Sequence, residues 1–193
     1  MNFTKRQVEI IEASKDLIGT KGLQNLTIKN LAKKMNFSEP ALYRHFKDKT
    51  EILKALLLFS KDILTGKIFK ILNSDKNTVE KFEEIIKFKF EHIEKNPALV
   101  MIIFSETSFQ YCSILSLVVA KIMNQRKEKI IELIDIGKKE GTIRADIESE
   151  QLATIILGSM RLTVLTWKIG GFKSGLKAEG EKLWNTIEKL IQK

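Results

Sequence analysis

Apolar side chains recur at helical spacing along almost the whole chain, and no stretch gives a strong strand signal. That pattern restricts the fold to the all-α class. The composition agrees: only 2 of the 193 residues are Pro and 10 are Gly, while Lys, Glu, Ile and Leu dominate. With 44% hydrophobic residues the chain can build a packed core, and global disorder is not expected. The length suits one large domain or two small ones sharing a core. There is no internal repeat and no low-complexity tract.

Val8, Ile11, Leu17 and Ile18 line one face of a helix predicted from about Lys5 to Thr20, and Gly22 is placed to end it. Thr27 can cap a second helix that turns Ile28, Leu31, Ala32 and Met35 inward. Ser38 can cap a third, with Pro40 in its first turn, where a missing N–H costs nothing. Asp48-Lys49-Thr50-Glu51 reads as a capping box that opens a fourth. Longer helices follow: about 78–95, one starting at Pro97, then near 116–139, 149–168 and 176–192, the last two split by Gly170, Gly171 and Gly175. The expectation is about nine helices, three short and then longer ones.

The formal net charge is +9. Residues 1–50 hold 10 Lys+Arg against 5 Asp+Glu, a net of +5, so the first quarter of the chain carries more than half of the excess. A polyanionic partner fits that distribution, and so does a lysine-rich composition with no such partner. The single cysteine, Cys112, rules out an intramolecular disulfide, and its apolar neighbours favour a buried, inert thiol. With two histidines, His45 and His92, and one cysteine, no metal site and no cofactor are expected. The longest uncharged run, Thr107 to Ala120, is 14 residues with several Ser and Thr, too short and too polar to span a bilayer. The start carries no secretory pattern, and a cytoplasmic protein is expected. Gly175 to Lys182 is only loosely like a phosphate loop, because Glu181 stands where Lys is required.

The informative stretch is Thr27 to Phe46. Two short helices flank Met35-Asn36-Phe37, with Asn36 where the turn needs a residue tolerant of positive φ. This is a helix-turn-helix, whose second helix enters a DNA major groove and reads base edges with its N-terminal residues. Leu42 and Phe46, four apart, point to the core. Ser38, Glu39, Pro40, Ala41, Tyr43 and Arg44 are left for DNA. Small Pro40 and Ala41 allow close approach, and Glu39, an acceptor, suits a cytosine N4 donor or avoids the DNA. Taken together, Gly22, Thr27, Leu31-Ala32, Phe37-Ser38, Leu42-Tyr43, His45-Phe46 and Lys49 resemble the TetR family of regulators over about a quarter of the chain. The resemblance implies that Thr27, Tyr43, His45 and Lys49 touch the phosphate backbone, and that Lys29, Glu39, Pro40 and Ala41 lie nearest the bases. Asn36 departs from the family, where Gly is usual.

The resemblance also implies that residues 1–47 form a DNA-binding domain and 48–193 a helical domain for ligand binding and dimerisation. Two terminal helices with wide apolar faces need cover. The dimer candidates are Ile155, Gly158, Ser159, Leu162, Leu183, Ile187 and Leu190, and the alternative is that they complete the monomer core. Aromatic, Met and Ile positions that suit an apolar or amphipathic ligand are Phe82, Ile86, Phe90, Met101, Phe104, Phe109, Tyr111 and Trp167, with Glu106, Gln110, His92 and Arg161 as polar partners. Any one of them serves equally as simple core. Gly141 to Asp146 reads as a short structural turn, with Arg144 able to pair with Asp146, and with Asp146 or Ser149 able to cap the next helix. No nucleophile or paired acid stands beside Tyr43-Arg44-His45, so no enzyme is expected. The reading is a homodimeric, sequence-specific DNA-binding regulator, a repressor released from a near-palindromic operator by a small molecule. A DNA-binding protein without such a ligand, a ligand binder that has lost DNA, and an anionic-membrane binder remain as alternatives.

Overall fold

The computed structural model describes residues 3–104, 113–173 and 175–192. Among them are nine α-helices: α1 (Lys5–Lys21), α2 (Ile28–Met35), α3 (Glu39–Tyr43), α4 (Lys49–Leu72), α5 (Thr78–Glu94), α6 (Pro97–Ile103), α7 (Ser113–Glu140), α8 (Ser149–Ile169) and α9 (Leu176–Ile191). A single 3-10 turn spans Leu23–Asn25. The described residues form no strand, only an isolated bridge between Ile143 and Gln192. The all-α class is therefore as expected. Phe109, Tyr111, Glu106, Gln110 and Cys112 lie outside the described residues.

Two compact units emerge, one from residues 1–63 and 96–120, the other from 64–95 and 121–193. Helices α4 and α7 contribute to both.

In the first unit, α1 is the hub. Thr4 and Gln7 close a capping box at its start, and Gly22, at φ 84°, ends it while donating its N–H to the Ile18 carbonyl. Ile10, Ile11, Leu17 and Ile18 are all buried. Periodicity alone selects Ile11 and misses Ile10. Both enter the core because α1 is covered from two sides, by α2 and by α6, where Gly19 comes close to the Ala98 side chain. Ser14, fully buried, donates its hydroxyl to the Ile10 carbonyl at 2.7 Å, which removes the penalty of an unsatisfied polar group.

In the second unit, α5 packs along α9 and α9 packs on α8. A Cβ on Gly180 would stand 2.5 Å from the Phe90 ring, so the absence of a side chain there is what lets α9 lie this close to α5. Gly137 on α7 has the same role: its missing Cβ would meet Ile143 and the Thr78 methyl at 2.6–2.7 Å. The turn after α7 is held by Arg144, which pairs in two-pronged fashion with Asp146 at 2.7 Å and donates its backbone N–H to the Ile191 carbonyl at 2.8 Å. Neither expected cap of α8 forms. Asp146 is engaged by Arg144, the Ser149 hydroxyl donates to Asp135, and Glu148 at the N-cap makes no side-chain capping bond.

Helix α8 also revises the membrane reading. At 21 residues and a mean hydropathy of 1.3 it is, by length and composition, long and apolar enough to cross a bilayer, which a search for uncharged runs misses. Its Leu152, Ala153, Ile156, Met160, Val164 and Trp167 are buried within the second unit, but only 33% of the apolar window is buried, and Ile155, Leu162 and Ile169 are exposed.

Two outcomes follow from this packing. Gly180→Ala lowers the unfolding free energy by about 1–3 kcal/mol in urea titration, because the new methyl overpacks Phe90. Gly66→Ala, in α4 with nothing within 4 Å, raises it by about 0.5–1 kcal/mol. The Arg144 guanidinium holds the exposed Asp146 carboxyl down at about 2, against an ordinary 3.8. The pair's contribution is thus present above the ordinary value and is lost as pH falls through about 2. A carboxyl NMR titration finds that midpoint, and Arg144→Gln returns it towards 3.8.

Candidate nucleic-acid interface

The helix-turn-helix is built from short elements, each with a local reason to stop where it does. Thr27 caps α2 by accepting the Asn30 N–H at 3.1 Å. Asn36 ends α2 in the left-handed conformation, φ 54° and ψ 41°, and its N–H returns to the Ala32 and Lys33 carbonyls. Asparagine is the non-glycine residue that tolerates this region best. Pro40 sits in the first turn of α3. The Ser38 side chain, expected as the cap, makes no capping hydrogen bond. Asp48 accepts the Glu51 N–H at 2.8 Å, while the Glu51 carboxylate reaches back to the Lys47 N–H, one residue beyond the usual box.

Five residues are too few to hold a helix by its own hydrogen bonds. α3 is fixed instead by what it buries: Leu42 is 1% exposed and Phe46, just past its end, 3%. Gln7 of α1 adds a clamp, donating to the His45 carbonyl at 3.2 Å. A Lys34–Asp16 ion pair joins α2 to α1, and the Arg6 guanidinium lies 5.0 Å from the centre of the Phe37 ring in the turn. The Thr4-x-x-Gln7 spacing carries a capping-box signal that the sequence reading does not use. The tie from Gln7 to His45, 38 residues away, has no such local signal.

With Leu42 and Phe46 facing inward, the opposite side of α3 is presented outward. Ser38, Glu39, Pro40, Tyr43 and Arg44 are exposed, and Ala41 and His45 are half-buried. Thr27 and Lys29 are exposed at the start of α2. Lys33, four residues beyond Lys29, is exposed on the same face and is a further cation that the sequence reading omits. Lys49 is half-buried at the start of α4, and burial lowers its pKa. The ten candidates therefore lie along one short stretch, from the N-cap of α2 through α3 to the first residue of α4. The arrangement offers a narrow helix end, a small-residue surface and flanking cations, which is the equipment of a groove reader.

The other candidates are dispersed. Phe82, Ile86 and Phe90 share the buried face of α5, and Trp167 is buried with its ring 4.8 Å from that of Phe172. Met101 and Phe104 belong to the first unit, on and just after α6. Of the dimer candidates, Ile187 is buried, Leu183 and Ser159 are half-buried, and Ile155, Gly158, Leu162 and Leu190 are exposed.

Residues 10–56 match the model of bacterial regulatory proteins of the tetR family, and residues 60–191 match that of the YsiA-like protein, C-terminal region. The chain belongs to the TetR family. It is a DNA-binding transcriptional regulator. It is 27% identical over 185 residues to the nucleoid occlusion factor SlmA of Alteromonas mediterranea, covering 94% of this chain and 91% of that one. A SlmA of Vibrio atlanticus is 33% identical over 101 residues, 52% of each chain. Among solved structures, the fatty acid degradation regulator FadR of Bacillus halodurans superposes with a TM-score of 0.86 at 19% identity, over 97% of both chains. FadR of Bacillus subtilis, solved in complex with stearoyl-CoA, gives 0.80 at 18% identity over 93% of this chain and 96% of that one. These TetR-family structures share the fold of this chain, and the family resemblance carried by Thr27 to Lys49 is upheld.

The left-handed Asn36 sets the angle between α2 and α3, so it is the place to perturb the unit without touching its outer face. Asn36→Val lowers the unfolding free energy by roughly 1–2 kcal/mol, and Asn36→Gly changes it by only a few tenths of a kcal/mol, both read by urea unfolding.

Proposed function

We propose that this regulator is a homodimeric repressor that places the α3 of each subunit in successive major grooves of a near-palindromic operator and is released by a small apolar or amphipathic effector. The observation carrying the DNA half of this reading is the exposed edge of α3, from Ser38 to Arg44, on a helix whose inner side is locked by Leu42 and Phe46. Lys29, Glu39, Pro40 and Ala41 lie nearest the base edges, and Thr27, Tyr43, His45 and Lys49 take the phosphates. In this division of labour residues 1–47 read DNA, and 48–193 dimerise and bind the effector in the cytoplasm.

The dimer half rests on α8 and α9. Ile155 is 50% exposed, Leu162 63% and Leu190 49%, and Gly158 between them has nothing within 4 Å of where a Cβ would stand. An apolar stripe with a backbone-deep gap suits a second copy of the same helices. A cleft of about 90 Å³ opens between Ile155 and Leu190, too small for an effector and sized for a partner's side chain. Two recognition helices about one turn of DNA apart, ~34–36 Å, require such a dimer.

The effector half rests on resemblance: the C-terminal match is to YsiA-like proteins, and a neighbour in fold holds stearoyl-CoA. The effector must bind the DNA-incompetent arrangement more tightly, since only differential affinity shifts an equilibrium. Helix α4, which starts directly after the DNA-reading segment and runs on to Leu72, is the lever. The similarity to a nucleoid occlusion factor over 94% of this chain supports a second reading, in which the chain acts in nucleoid occlusion rather than at promoters.

Selection of bound duplexes from a random library enriches a near-palindrome. Tyr43→Ala and Lys49→Ala each weaken binding by about 10-fold, and Lys49→Ala also flattens the salt dependence. Binding that stays sequence-blind and vanishes as salt rises sinks the operator reading. Chromosome-wide occupancy then tests whether the bound sites are promoters. Leu162→Glu converts the dimer to monomer in sedimentation and abolishes cooperative binding to the palindrome; an unchanged sedimentation coefficient excludes this face.

A further inference from the structure

Within the second unit, the start of α5 meets the end of α7: Thr78 lies against Gly137, and its N–H donates to Glu140 at 3.1 Å. Stepping along α5 and back along α7 from that contact at helical spacing reaches Phe82 and Ile85 on one helix and Leu133 and Ile130 on the other, all buried. About three helical turns from it stand Lys89 and Arg126, close enough for the Arg126 charge to act on Lys89. Arg126 is four residues from each of two buried isoleucines, Ile122 and Ile130, so it occupies a core position of α7. Two cations thus stand where the pattern calls for apolar side chains.

Among the described residues neither takes part in an ion pair, and the charge that acts on Lys89 is Arg126 itself. Burial and that repulsion bring the Lys89 ammonium down to about 8, and burial lowers Arg126 as well. Both residues are only half-buried as wholes, so solvent reaches them. Cations partly withdrawn from water without a counter-charge are destabilising, and an anion bound between them offsets that cost.

We propose that Lys89 and Arg126 form an anion site that holds the charged head, a carboxylate or a phosphate, of the regulator's effector. This rests on the effector-binding reading above and deepens it, because it requires the effector to be an anionic amphiphile rather than a neutral apolar molecule. Guanidinium and ammonium supply charge-assisted donors in a partly dry setting, where such bonds are strongest.

The test uses the full-length protein with stearate, stearoyl-CoA and neutral methyl stearate, titrated calorimetrically. Tighter binding of stearate assigns the head to a carboxylate, tighter binding of stearoyl-CoA to a phosphate. Lys89→Met and Arg126→Met each weaken the anionic probe by about 10-fold or more while raising the melting temperature of the free protein. Methyl stearate binding as tightly as both anionic probes, or affinities unchanged in both variants, overturns the proposal. Lys89→Gln and Arg126→Gln replace the Met variants if those do not fold.

Sodium pyrophosphate at matched ionic strength separates the anion site from the amphiphile reading. If no amphiphile binds, yet pyrophosphate raises the melting temperature of the wild type and not of the protein carrying both Lys89→Met and Arg126→Met, the anion site stands and the amphiphile reading fails. An equal rise in both proteins, or none in either, removes the site itself.

Discussion

The burial of Leu42 and Phe46 beneath α3 is the interaction on which the DNA-reading surface depends. A five-residue helix has no stability of its own, so its direction is whatever its anchors impose. α3 packs on α2, α2 on α1 and α1 on α6, and the Gln7 amide of α1 holds the end of the segment at the His45 carbonyl. Everything outward on α3 is thereby freed from packing duty, and residues as different as Glu39, Pro40 and Arg44 are tolerated there. The side chains along that edge can vary while its geometry stays constant.

Close approach organises the second unit in the same way. Gly180 against Phe90 and Gly137 against Thr78 are contacts made by absence, where a missing methyl sets the distance between helices. With α5 held against α9 and, at its start, against α7, its inner face buries Phe82, Ile85, Ile86 and Phe90, and Lys89 stands beside them as a half-buried cation. The polar interruption is conspicuous only because these neighbours are so regularly apolar.

Much of this was legible in the sequence where local chemistry decides the outcome. Thr27, Asn36, Pro40 and the Asp48–Glu51 pair each act through backbone groups within a few residues, and helix order, helix ends and the resemblance to TetR regulators follow from them. Ser38, Asp146 and Ser149 show the limit. Each has the right chemistry for a cap, yet Ser38 makes no capping bond, and Arg144 and Asp135 compete successfully for the other two. Ile10, Gln7 and the Lys89–Arg126 pair were illegible for a different reason: each takes its meaning from a partner far along the chain. The aromatic positions Phe82, Phe90 and Trp167 are interior residues with the composition of a ligand site, and composition alone cannot distinguish the two.

The brevity of α3 has one more consequence. Because its turn is not self-supporting, its amide hydrogens can be released to solvent only when Leu42 and Phe46 leave their seats, and that motion disturbs α1 and α2 as well. The recognition segment therefore shares one cooperative opening with its scaffold, a single foldon in hydrogen-exchange terms. Anything that binds and immobilises its outer edge protects the whole three-helix unit, and any loosening of that unit is felt first as a blurred reading head.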